Sequence, residues 1–138
     1  MDAVFVCFGI NDIFHARNAD MLWFDLSRIA KILRNSGCAV IMITIPPFEM
    51  AGSDLDTWLE VNRRIRANVP DIDSVLSGTD KSDLPPLVLF DIAKYLGQPS
   101  PNEHLPAYGP HPDGIGGAAA TDAFISEFGT RFTELLKK

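Results

Sequence analysis

Ala39-Val40-Ile41-Met42-Ile43-Thr44-Ile45, closed by Pro46-Pro47, decides the fold. The run is continuously apolar instead of alternating with polar residues. A strand of that kind has both faces covered, the environment of a parallel sheet. Ahead of it, Met21 to Ser36 places Leu22, Leu26, Ile29, Ala30 and Leu33 on one helix face, and Gly37 follows as a stop. Further ahead, Val4-Phe5-Val6-Cys7-Phe8 is a second continuous run that ends at Gly9. Behind it, Asp54 to Asn68 reads as a helix with Leu55, Trp58, Leu59, Ile65 and Val69 on one side. Residues 70–86 read as polar and irregular, and Leu87-Val88-Leu89-Phe90 as the third short strand. A stretch rich in Pro, Gly and His spans 97–117. A terminal helix then runs from about Ala118 to Leu136, with Ala120, Phe124, Phe128, Phe132 and Leu135 at helical spacing.

Strand, helix, strand, helix, strand, helix predicts an α/β fold: a parallel sheet with crossover helices, in three layers. Right-handed crossovers put the carboxyl ends of the strands on one edge, where ligands of open α/β sheets bind. The residues to examine are therefore Gly9 to Phe14, Pro46 to Ser53, and Asp91 to Asp113.

The 138 residues make one domain, 1–138, with 12 Lys and Arg against 18 Asp and Glu, a formal charge of −6. An acidic domain of this kind is a poor match for nucleic-acid phosphates, and no run approaches the ~20 apolar residues of a membrane span. Cys7 and Cys38 exclude a disulfide framework and a cysteine-based zinc site. Both lie in or beside apolar runs and read as buried core thiols. No basic patch followed by an apolar stretch opens the chain, so no export signal is read and the cytoplasm is the default compartment.

After the first run comes Gly9-Ile10-Asn11-Asp12. The Asn amide reads either as a turn cap or as a neutral donor for an oxyanion. No Gly-x-Gly-x-x-Gly and no Gly-Lys-Ser/Thr pair supports a nucleotide site. Tyr108-Gly109-Pro110-His111-Pro112-Asp113-Gly114-Ile115-Gly116-Gly117 leads into the terminal helix. His111, held between two prolines on the ligand edge, reads as a general base or as a solvated loop histidine. His15 and His104 read as surface or loop histidines, and Trp23 and Trp58 as helix packing. Arg63, Arg64 and Arg66 read as a solvated helix face. Ser53, in Gly52-Ser53-Asp54, reads as the cap of the second helix.

Taken together these blocks resemble the SGNH (GDSL-type) hydrolases, a family of esterases and lipases with a flavodoxin-like fold. Gly9-Ile10-Asn11-Asp12 is similar to the family's Gly-x-Asn-Asp block after a central strand. His111-Pro112, with Gly116 five residues after the histidine, is similar to its His-Pro block before the last helix. Ile43-Thr44-Ile45-Pro46-Pro47, the Asn62-containing helix and Phe90-Asp91-Ile92 resemble the family's later elements in order. The resemblance covers essentially the whole chain. It implies that the Asn11 amide is an oxyanion-hole donor and that His111 is the base that deprotonates a serine. It implies a small acyl ester as substrate, and neither metal nor cofactor.

Two features depart from the family. Its Gly-Asp-Ser nucleophile block and its oxyanion-hole glycine are not in this sequence, which begins at what resembles the third strand. The usual Asp three residues before the histidine is Tyr108, leaving Glu103, Asp91 or a backbone carbonyl to orient the ring. The chain thus reads as the C-terminal two-thirds of the family fold, truncated at its N-terminus, and weak or inactive alone. The alternatives are a non-catalytic SGNH-like domain for binding or assembly, or a flavodoxin-like binding domain. Residues 4–8 are expected to form a bare apolar sheet edge, met by a second copy or by a complementing N-terminal segment.

Overall fold

The computed structural model describes residues 1–78, 82–96 and 114–138. Its sheet is parallel, with β1 (Ala3–Val6), β2 (Ala39–Ile43) and β3 (Leu87–Phe90) side by side in chain order. Val4 stands opposite Val40 and Val40 opposite Leu87, so β2 is the central strand. Ala39 to Met42 are buried without exception, as the continuous apolar run requires.

Period-two alternation sends Val6, Val40 and Met42 to one face and Ile41, Val88 and Phe90 to the other. The first face is covered by α2 (Ala19–Asn35) and α3 (Gly52–Asn68) through Leu22, Leu26, Ala30, Trp58, Val61 and Ile65. A sheet that grows in one direction through right-handed crossovers puts both connecting helices on the same side. The second face is covered by α4 (Ile72–Leu76), α5 (Ile92–Leu96), α6 (Gly114–Glu127) and α7 (Arg131–Leu135). The result is three layers, α/β/α, as the sequence predicts. Among the described residues no helix is long and apolar enough to cross a membrane.

Several boundaries differ from expectation. β1 ends at Val6, opposite Met42, and not at Phe8, because Cys7 and Phe8 leave the ladder before the Gly9 turn. Asn11 lies within a short helix, α1 (Ile10–Phe14). The 70–86 stretch contains α4, capped by the Asp71 carboxylate accepting from Ser74 N–H at 2.7 Å. The terminal helix begins at Gly114 and is broken between Glu127 and Arg131. Gly129 sits in the break with φ +41°, where a Cβ would meet the Ile125 carbonyl at 2.8 Å. Ser53 is inside α3, whose capping residue is Ala51, so it caps nothing.

The core-thiol reading is overturned: Cys7 is exposed and Cys38 half-buried. Among the described residues β1 is an edge strand, and Cys7 has already left it. Its thiol still lies low enough among apolar neighbours for burial to raise its pKa. The tryptophans do pack between helix and sheet, Trp58 fully and Trp23 in part.

Candidate functional site

Three chain segments leave the sheet at its carboxyl edge, and each exit is fixed differently. At the end of β1, Gly9 turns the chain with φ +124°. A Cβ there would come within 2.7 Å of Ile45 Cδ1, so the turn is strained for any other residue and crowded as well. The Gly9 carbonyl then accepts from Ile13 N–H at 3.0 Å and starts α1.

At the end of β2, the prolines cannot donate to a ladder, and side chains take over. Asn62, buried in α3, accepts from Ile45 N–H through Oδ1 at 2.8 Å and donates from Nδ2 to the Ile45 carbonyl at 3.0 Å. One turn earlier, Trp58 donates from Nε1 to the Ile45 and Pro46 carbonyls, each at 3.0 Å. Two side chains of one helix face thus clamp the peptide groups that follow the strand. This role is absent from the sequence reading. The signal for it was an Asn one turn from a Trp on the buried face of a helix, since a buried amide must find partners.

At the end of β3, Asp91 receives Arg66 on both oxygens, from Nε at 2.8 Å and Nη2 at 2.9 Å. The Thr44 hydroxyl donates to Oδ1 at 3.0 Å and itself accepts from Ala93 N–H at 3.0 Å. Burial works to raise the pKa of Asp91. The Arg66 guanidinium, with Thr44 and the Lys94 N–H, outweighs it and holds the carboxyl below its ordinary value. Arg66 is therefore a tie between α3 and the sheet edge and not simply a solvated charge. Arg63 and Arg64 engage Glu60, holding its carboxyl at about 2, and Arg64 also reaches Asp20 on α2 at 2.6 Å.

Between these exits lies a cleft of about 320 Å³, lined by Cys7, Phe8, Ile10, Ile45, Pro46, Phe48 and Ile92. Its walls are apolar and come from the ends of all three strands, the place where ligands of such sheets bind. Ile10 is the α1 residue that lines it, and Asn11, the next residue, is not part of the lining. Asn11 is exposed, and its side-chain amide has no partner among the described residues. Its backbone carbonyl accepts from His15, through Nδ1 at 2.6 Å and N–H at 3.0 Å, which closes α1 and leaves His15 a surface residue.

His111, Tyr108, Glu103 and His104 lie outside the described residues. Asp91, the remaining carboxylate considered for orienting His111, is committed to Arg66 and Thr44. Among the described residues no group of three or more His, Cys, Asp or Glu side chains could hold a metal ion. Comparison with protein-family models, with curated proteins and with solved structures gave no match.

Proposed function

We propose that the chain is the part of an SGNH-type carboxylic ester hydrolase that carries the oxyanion donor and the base, its serine nucleophile lying outside these 138 residues. The observation that carries this reading is the placement of Asn11. An exposed carboxamide, unpartnered among the described residues, stands on α1 behind the strained Gly9 turn at the carboxyl edge, one residue beyond Ile10, which lines an apolar cleft of about 320 Å³. A neutral donor at such an edge can stabilise the oxyanion of a tetrahedral intermediate. His111, from the Pro-His-Pro segment ahead of α6, takes the serine proton and returns it to the leaving alcohol. Under this reading the three-layer sheet is a truncated SGNH fold. Its ligand is a small acyl ester and not a nucleic acid.

A non-catalytic SGNH-like binding or assembly domain is the second reading. The occupation of both Asp91 oxygens, together with Tyr108 in the usual acid position, favours it. A titration with acetate, the simplest product carboxylate, separates the two. In ¹⁵N-resolved spectra of the hydrolase the Asn11 side-chain amide and the His111 ring shift together, and Asn11→Ala abolishes the response of His111. An unresponsive Asn11 amide, or a His111 ring indifferent to Asn11→Ala, removes the hydrolase reading.

A further inference from the structure

β1 is the edge of the sheet among the described residues, and exposed apolar side chains border it on both faces. On the α6 side, Phe5 is 47 % exposed although its ring lies 5.5 Å from Phe124 and 6.2 Å from Phe132. On the α2 side, Phe8, Leu22, Ile29 and Ile32 line an open groove of about 480 Å³. Phe8 there is 58 % exposed and Ile32 54 %. An unpaired strand with apolar flanks is a template for another strand.

The flank of α2 beside that groove says which strand. Met21, Asp25, Arg28 and Ile32 follow one another at spacings of four, three and four residues. That is the repeat with which two helices mesh side by side. It is also self-complementary when reversed. A two-fold axis passing between Asp25 and Arg28 sets Asp25 against Arg28 of the partner subunit, and Met21 against Ile32 of the partner subunit. The charges are available for this. Arg28 is exposed and has no side-chain partner among the described residues. Asp25 gives only Oδ2 to Arg17.

We infer that the chain forms a two-fold homodimer in which β1 pairs antiparallel with its own copy and the two α2 helices pack across the axis. The spacing closes. Paired strands stand about 4.8 Å apart, and α2 packs over β1 and β2, which brings the two helices to a helix-packing separation of about 10 Å. The area closes too. Met21, Phe5, Phe8, Ile29 and Ile32, about half exposed on average, offer on the order of 400–500 Å² of side chain per copy. With the strand backbone added, the pair reaches the ~1,000 Å² that a specific interface needs. The inference does not rest on the hydrolase reading, and it competes with it for one surface: a β1–β1 pair takes the edge that a complementing N-terminal segment would otherwise fill.

Light scattering after size exclusion, on the full 138-residue chain, tests it. The expected mass is twice that of one chain at micromolar concentration. Ile32→Asp and Arg28→Asp each weaken the dimer at least tenfold while the circular dichroism spectrum is kept. The double exchange Asp25→Arg with Arg28→Asp restores it, because the same cross-axis pair is rebuilt with the signs reversed. Amide exchange in β1 is slow in the dimer and fast in the Ile32→Asp monomer. A monomer at high concentration, open-ended oligomers, a dimer indifferent to both single variants, or failure of the charge exchange in a folded protein overturns the proposal. So does a monomer that instead captures an added apolar strand peptide.

Discussion

Asn62 is a polar residue whose removal should cost as much as the loss of a large core side chain. Its carboxamide pairs with both backbone polar groups of one residue, Ile45, which is itself buried. Without it, the Ile45 carbonyl keeps the Trp58 indole, but the Ile45 N–H loses its acceptor. An orphaned buried donor costs about 1–3 kcal/mol, and the vacated volume adds to it. Asn62→Ala is therefore expected to destabilise the protein by about 3 kcal/mol in urea titrations. Asn62→Asp keeps the acceptor but turns an oxygen toward the Ile45 carbonyl, so its penalty is larger at pH 7 than in acid, where the carboxyl is protonated. Equal stability of wild type and Asn62→Ala would show that the clamp is not needed to hold the exit of β2.

The elements are joined at their ends by charge, and the tie between α3 and β3 has a readable pH signature. Asp91 is held below its ordinary value of 3.8, so it binds fewer protons folded than unfolded. The stability this supplies is complete above the unfolded value and is lost as pH falls through the lower folded one. Asp91→Asn cannot titrate. It is expected to cost about 1 kcal/mol at pH 7, discounted because Arg66 is 40 % exposed, and to narrow its gap from wild type as pH falls below 3.8. Parallel melting curves from pH 7 to pH 2 check this, and a gap that stays constant refutes the linkage. At this scale the sequence was most legible where apolar period decides structure. β2, β3 and the bodies of α2 and α3 follow from it. The short helices α1, α4 and α5 carry too few residues for a period to register. The break at Gly129 was hidden because Phe124, Phe128 and Phe132 keep helical spacing across it. Their rings stay together across it, Phe124 stacked on Phe128 at 4.8 Å and Phe132 edge-on to Phe124 at 5.8 Å, while the backbone reorganises.

For the whole molecule, the question is what three parallel strands can do at one edge. The edge itself was legible, because handedness and strand order fix it without reference to side chains. Asn11 was legible as a residue following a strand. The clamp at Ile45 and the Asp91 network were not, because they depend on contacts between α3 and the strand ends that no local pattern encodes. The resulting edge holds a carboxamide and, under the hydrolase reading, an imidazole, with no serine beside them in the described residues. Ser53 is exposed within α3 and has no base or other side-chain partner among them. An imidazole without a nucleophile to activate leaves only its own weak attack on an ester, whereas positioned acid–base and nucleophilic groups acting as a unit supply orders of magnitude more. The 138-residue chain is therefore expected to hydrolyse p-nitrophenyl acetate no faster than free imidazole at equal concentration and without saturation, with His111→Ala removing no more than one free imidazole's share of the rate and Asn11→Ala leaving it unchanged. Saturable turnover that His111→Ala abolishes would mean that a nucleophile within this chain reaches the edge. The catalytic assignment would then have to be rebuilt around that residue.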